Sequence, residues 1–564
     1  MRILATVLVL LFLLGPVSVT GQRKQVVFKE VAEQVGLKFQ HYNGMTGKFY
    51  LPEITGSGGA LFDFDNDGDL DVFLVQGNTL EPNTQPGATL FPWRGPETPR
   101  GRLFRNDLNA KGAQLLFTDV TSQSGIVATG YGMGVAVGDI NNDGLPDLYL
   151  TNLGSNQMYL NKGGGKFTDV TKESGTDDPR WSTSASFFDY DRDGWLDLMV
   201  VNYADFTVAN SPNCFASNTA RDYCTPRVFR SPGNRLFHNK GNGVFEDVTV
   251  SAGVSKEFGH GLGIVTADFN NDGWIDVYVA NDGDQNQLWT NQKNGTFVNE
   301  ALLAGAAVNR NGQTEAGMGV DVGDFDGNGT DDIFVKHLMD EINALFVNLG
   351  QAVFEERTRE AGLGMPGRRF TGFGTLFFDY DNDGWLDLFV ANGAVQLIQE
   401  LVRQKNPFPL GQPNQLFRNT GKGGFVEIMD QAELQPLEVS RGAVVGDVDN
   451  DGDADVLVTN NNGPARLLLN QVGNQNHWLG LRVIGKSGRD MLGALVEIVV
   501  TENNVLRRRV RTDGSYLSGN DPRVLVGLGQ SLKVKAVRVR WPGGTTEEWK
   551  DVRVDQYTTL KEGR

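Results

Sequence analysis

The stretch DFDNDGDLD, Asp63 to Asp71, places five carboxylates in nine residues. Like charges at that density repel, so the stretch calls for a cation. The pattern D-x-[DN]-x-[DN]-G-x-x-D recurs six more times, starting at Asp139, Asp189, Asp268, Asp324, Asp379 and Asp447. With those residues and Asp63 at position 1, the oxygen donors at position 3 are Asp65, Asn141, Asp191, Asn270, Asp326, Asp381 and Asp449. At position 5 they are Asp67, Asp143, Asp193, Asp272, Asn328, Asp383 and Asp451. Position 6 is Gly in every copy, which permits positive φ where the chain folds back. Position 7 varies among Asp69, Leu145, Trp195, Trp274, Thr330, Trp385 and Asp453, a tolerance that suits a backbone carbonyl ligand. Position 9 is always acidic: Asp71, Asp147, Asp197, Asp276, Asp332, Asp387 and Asp455.

Hard oxygen donors without His or Cys select Ca²⁺ over zinc or copper, and flexible coordination favours it over Mg²⁺. The loop is not an EF-hand, which needs Glu at position 12. Position 12 here is apolar, as at Leu74, Leu150 and Val200, inside a strand-like run, so the acid at position 9 must close the site. The seven loops hold 28 Asp, and seven Ca²⁺ would move the formal charge from −18 to about −4. Up to seven calcium ions are expected.

Two further motifs accompany each loop and define the elements that position it. An apolar pair ending in Asn occurs seven times, from LFRN at Leu103 through MYLN, LFHN, LWTN, LFVN and LFRN to LLLN at Leu467. A segment opening with Phe also occurs seven times, at Phe28, Phe117, Phe167, Phe245, Phe297, Phe354 and Phe425. The runs after the loops, such as VFLVQ at Val72 and LMVVN at Leu198, are apolar and bounded by Gly or Asn, as buried strands are. About four strands per unit, seven times over, predict an all-β fold: a seven-bladed β-propeller over residues 26–472. A two-sheet sandwich does not explain seven equivalent units. The first Phe segment precedes the first acidic loop, and no Phe segment in register follows the last Asn motif, so the N-terminal strand is expected to complete the last blade.

The chain has 564 residues, with 69 Asp+Glu against 51 Lys+Arg, so a phosphate-backbone partner is discounted. The start has Arg2, an apolar run from Ile3 to Leu14 and small residues to Gly21. It reads as a secretory signal peptide over residues 1–21, and no later segment is apolar enough to span a membrane. The expected product is secreted or periplasmic, and monomeric. Cys214 and Cys224 are the only cysteines, and export favours a disulfide between them. They lie in a Pro-containing insertion from Tyr203 to Gly233, a plausible recognition loop.

The DxDxDGxxD loops, with upstream glycines as in GMGVAVGDI and GFGTLFFDY, resemble the FG-GAP/VCBS repeats of integrin-α-type propellers. That resemblance implies calcium in the loops, with Asn for Asp at Asn141, Asn270 and Asn328. NHWLGLRVIGKSGRDMLGALVEI from Asn476, GSYLSGNDPRVLVGLG from Gly514 and VRVRWPGGTTEEW from Val537 resemble the ASPIC/UnbV domain. In the family typified by cartilage acidic protein and its bacterial relatives, that domain follows such repeats. A small β domain is therefore expected over 474–562.

The remaining candidates carry less. His41 and His260 lie just before acidic loops and read as hydrogen-bonded structural residues rather than catalytic ones. Trp195, Trp274 and Trp385 are expected to pack between blades. RRRVR, Arg507 to Arg511, reads as the solvated basic face of a strand. No Ser-His-Asp arrangement or phosphate-binding Gly loop appears. Two functions compete: a calcium-rigidified scaffold presenting a face to a protein or glycan, and a calcium-dependent polysaccharide lyase or hydrolase. Fold alone cannot choose between them. The sequence shows no cluster of His with Arg or Lys for the channel mouth, so binding is preferred and no catalytic residue is assigned.

Overall fold

A computed structural model describes residues 26–108, 114–216 and 218–563. The expected signal peptide lies outside the described residues. Seven sheets of four repeat strands follow one another along the chain. Blade 1 runs Gly59–Phe62, Asp71–Leu74, Arg102–Asn106 and Phe117–Asp119. Blades 2 to 6 repeat that order, with innermost strands Tyr131–Gly138, Ser182–Phe188, Gly261–Ala267, Val320–Gly323 and Gly372–Phe378. Blade 7 takes Ser440–Gly446, Asp455–Asn460 and Arg466–Asn470, and its fourth strand is Phe28–Glu30 from the other end of the propeller sequence.

Each innermost strand contacts the innermost strands of both neighbouring blades, and blade 7 contacts blade 1, so the ring closes. Neighbouring blades approach closely where Gly leaves room. A Cβ on Gly319 would sit 1.8 Å from the Phe373 carbonyl of the next blade. The second strands, such as Asp197–Asn202 (DLMVVN), are buried throughout, because they lie between two sheets of side chains. The outermost strands bury only their Phe and expose the next residues, and their three-residue length keeps each outer edge short.

Blade 7 is completed by Phe28 pairing with Asn470 and Glu30 with Leu468. Phe28 is fully buried. Phe28→Ala should therefore cost about 3–5 kcal/mol and lower the urea midpoint of the whole ring. An unchanged midpoint would show that the closing strand is dispensable.

Residues after the ring form two further sheets, one of three strands around His477–Ile484 and one of four around Leu495–Thr501. These sheets do not stand apart from the propeller. Ser518–Gly519 pairs in parallel with Gly59–Ala60 as a fifth strand inside blade 1. Around it, Asp513 to Asn520 thread the central channel. The carbonyl of Leu517 accepts the Val135 N–H at 3.2 Å, and that of Ser515 accepts the Val320 N–H at 3.0 Å. The Tyr516 ring lies 4.8 Å from Phe373, and its hydroxyl donates to the Thr55 carbonyl at 3.0 Å.

Candidate metal centres

Each acidic loop joins the first and second strands of its blade, and all seven use the same hydrogen bonds. The Gly at position 6 takes φ between 86° and 98°. Its N–H donates to Oδ2 of the position-1 Asp at 2.7–3.1 Å. The position-7 N–H donates to the position-5 side chain, as Trp195 does to Asp193 at 2.8 Å. These bonds curl the turn so that side-chain oxygens from positions 1, 3, 5 and 9 face inward. Oxygens of Asp63, Asp65 and Asp71 fall within 4.8 Å of one another, as do those of Asp189, Asp191 and Asp193. The same holds for Asp324, Asp326 and Asp332, and for Asp379, Asp381 and Asp387.

The donors fit a hard dication. Buried oxygens with no hydrogen-bond partner include Oδ1 of Asp65, Asp189, Asp324, Asp381, Asp449 and Asp453, all in these loops. A buried, unpaired carboxylate oxygen is costly, and a cation is what removes that cost. Without one, burial pushes these acids up: Asp63 to about 6, Asp189 and Asp449 to about 7, and Asp453 to about 8.

The position-9 Asp does more than face the site. Its Oδ2 accepts the position-2 N–H at 2.9–3.3 Å. Its Oδ1 accepts the N–H of the motif Asn on the third strand at 2.7–2.8 Å. That Asn then reaches backward: Nδ2 donates to the position-2 carbonyl of the preceding blade's loop at 2.7–2.9 Å, from Asn106 to Val448 around to Asn470 to Tyr380. Seven asparagines thus staple every blade to its neighbour's acidic loop. The sequence displayed this motif, but only the fold shows what it holds.

Asn291 tests the staple. Its Nδ2 satisfies the buried carbonyls of Tyr190 and Ile275 at 2.8 and 3.2 Å. Asn291→Ala strands both, at about 1–3 kcal/mol each. The expected loss of about 2–6 kcal/mol would appear in a denaturant titration, and a change under 1 kcal/mol would rule the staple out.

Basic groups that sequence reasoning missed also border the loops. Arg418 donates to Asp381 at 2.8 Å and Asp383 at 3.0 Å. His238 lies 3.1 Å from Asp197 and 3.5 Å from Asp191, and the bond to Asp197 raises it to about 9. Both occupy the variable third place of the Asn motif, LFRN and LFHN, so their spacing carried the signal.

Arg507 to Arg511 correct the expectation of a solvated face. Arg508 donates to the Gly384 carbonyl of loop 6 at 3.2 Å, and Arg509 pairs with Asp331 of loop 5 at 2.8 Å. They belong to a wider set. Arg482 lies 3.8 Å from Asp63, and Arg489 donates to Gly194 of loop 3. Arg540 meets Asp268 at 3.0 Å, and Arg523 donates to the Asp447 carbonyl at 2.8 Å. The C-terminal sheets therefore sit on the acidic-loop face with arginines aimed at the loops.

The other candidates are structural in this fold. His41 is buried, its Nδ1 accepts the Asn462 N–H at 3.1 Å, and burial lowers it to about 3. His260 pairs with Asp284 at 2.7 Å. Trp274 bridges blades by packing under the Arg192 guanidinium of loop 3, at 4.2 Å from the ring centre. Trp195 packs near Gly241 of its own blade, and Trp385 near Gly421 of its own blade and Gly327 of blade 5. Cys214 and Cys224 are joined in a disulfide. Among the described residues no helix is long and apolar enough to cross a membrane.

The chain matches the FG-GAP-like repeat profile over residues 63–150, 139–200, 223–279, 268–335 and 379–458, and the ASPIC and UnbV profile over 485–564. It is 27% identical to Cartilage acidic protein 1 of Mus musculus over 309 residues, covering 53% of this chain and 44% of the relative. For the Homo sapiens protein the figures are 27% over 308 residues, 53% and 43%. The chain thus spans less than half the length of these relatives. A solved structure of YCF48 bound to D1 peptide overlaps 79% of this chain and 96% of its own, at 9% identity and a TM-score of 0.41, too loose an overlap to carry argument. The repeat matches cover more than half of the chain, in the stretches that carry the acidic loops, and the protein therefore belongs to the FG-GAP-like repeat family, with an ASPIC and UnbV domain after its repeats.

Proposed function

We propose that this protein is an exported, calcium-loaded propeller that serves as a recognition scaffold. It engages a protein or glycan through the face opposite its acidic loops. Calcium would be held by side-chain oxygens at positions 1, 3, 5 and 9 and by the position-7 carbonyl, in up to seven loops. The ion would neutralise the buried carboxylates and fix the turn between the two inner strands of each blade. Export fits the disulfide and the likeness to proteins named for cartilage, an extracellular tissue.

One observation carries the choice of face. The acidic-loop face is occupied by the C-terminal sheets, whereas three long connections lie at the other end of the blades. These run between the second and third strands, over 75–101 in blade 1, 203–234 in blade 3 and 393–414 in blade 6. They touch one another across the channel: Phe91 lies 5.6 Å from Phe408, and the Leu397 N–H donates to Asp222 at 3.3 Å. Together they form a continuous cap, the kind of loop platform on which scaffolds carry specificity.

The test joins metal analysis of the purified chain to a glycan and peptide array in calcium and in chelator. Several calcium ions per chain and calcium-dependent hits are expected. Hits should be lost when 209–222 are replaced by a short Gly-Ser linker. A metal-free chain with no hits would overturn the reading.

A further inference from the structure

Beneath the cap lies a cavity of about 350 Å³ at the channel mouth away from the acidic loops. Its roof comes from the blade 3 insertion, Tyr223 to Arg227, and the disulfide partner Cys224 lines it. Leu262, Met318, Leu338 and Val395 give it apolar walls.

Two carboxylates break that apolar lining. Asp282 is 7% exposed, and its Oδ2 accepts the Tyr203 hydroxyl at 2.6 Å. No donor among the described residues reaches its other oxygen. Glu341 uses Oε2 to accept the Ala316 and Leu338 N–H groups at 3.0 and 3.3 Å, which leaves Oε1 free in the same sense. Asp282 forms a backbone bridge with Ala316, so the two acids flank one residue. Arg227 supplies the one cationic side chain of the lining; it donates to Thr314 at 3.3 Å and to the Gly283 carbonyl. With all three ionised the cavity carries a net charge of −1.

We propose that this cavity binds one alkyl ammonium group, such as the end of a lysine side chain on a partner protein. The inference deepens the scaffold reading and rests on it. A buried carboxylate with an unused oxygen needs a donor, and the ammonium has three and no acceptor. Its alkyl stem suits the apolar walls. Neither Ca²⁺ nor Mg²⁺ suits the site, because each takes about six or more oxygens and the lining is mostly carbon; zinc or copper would want His or free thiol ligands, and the lining has none. A single positive charge balances the net −1.

Calorimetric titration of the full chain in calcium, with N-acetyl-lysinamide against N-acetyl-norleucinamide, separates charge from shape. Saturable one-site binding of the lysinamide is expected, at least tenfold tighter than the neutral analogue. Glu341→Gln and Asp282→Asn should each weaken it at least tenfold. Arg227→Met should tighten it several-fold by removing the competing charge. Asp282→Asn also disturbs the Tyr203 bond, so Glu341→Gln and Arg227→Met decide if that variant melts early. Equal binding of the two amides, no binding of either, or unchanged affinity in Glu341→Gln and Arg227→Met would each overturn the proposal. A chain that holds calcium and gives array hits, yet ignores the lysinamide, loses this inference and keeps the scaffold reading.

Discussion

Chelation of calcium should lower the melting temperature of this protein by roughly 15 °C. A ligand bound only by the native state contributes about 2.7 kcal/mol per site at a hundredfold excess over its dissociation constant. Seven sites give about 19 kcal/mol, and ordinary unfolding entropies convert that to about 15 °C for a chain of this length. The double variant Asp189→Ala, Asp193→Ala should lose one ion of the full complement and only about 2–3 °C by the same conversion. The seven loops lie in seven different blades, so the others should keep their ions.

The effect carries a pH signature. Without metal, burial holds Asp63 at about 6, Asp189 at about 7 and Asp453 at about 8, against about 3.9 in an unfolded chain. The folded apo state therefore binds more protons than the unfolded state between about pH 4 and 8. Stability of the chelated protein falls as pH rises through that window. Calcium requires the same carboxylates ionised, so the loaded protein follows the opposite trend. The chelator-induced drop should be larger at pH 8 than at pH 5. A drop of equal size at both, or a protein that contains no calcium and melts identically in chelator, would refute calcium as the organising ion.

The ring was legible because its signals are local and repeated. A nine-residue loop, an Asn-ended strand and a Phe strand each recur seven times, and their phase placed Phe28 beside Asn470. The partners of Asn106 and its six counterparts were not legible, because each reaches into a different blade, as Asn106 does to Val448. Nor was the fate of Arg507 to Arg511. A run of basic residues on a strand looks alike whether it faces water or a ring of carboxylates, and only docking of the C-terminal sheets decides. The cavity with Asp282 and Glu341 was hidden for a similar reason: its lining comes from blades 3, 4, 5 and 6 and from Leu51 and Thr55 ahead of blade 1, with no shared motif.

The same docking makes the C-terminal sheets part of the propeller's own stability. Ser515 and Leu517 hold φ of 64° and 57°, left-handed backbone that costs a non-glycine residue about 1–3 kcal/mol. Surrounding bonds impose it: the Leu517 N–H donates to Ser184 Oγ at 3.1 Å while its carbonyl accepts from Val135. Asp513 takes the hydroxyls of Ser186 and Thr266 at 2.7 and 2.6 Å, tying blades 3 and 4 to the same segment. Tyr516 is fully buried at the centre. Tyr516→Ala should thus cost about 3–5 kcal/mol, felt by the whole ring rather than by the C-terminal sheets alone. A chain ending at Gly473 should fare worse. It opens the channel to water and removes Arg482, Arg489, Arg508, Arg523 and Arg540 from beside the acidic loops. Such a chain should elute as aggregate on size exclusion even in calcium, and any soluble fraction should melt well below the intact protein. A monodisperse truncated propeller with the full-length melting temperature would show that the threaded segment fills the channel without supporting it.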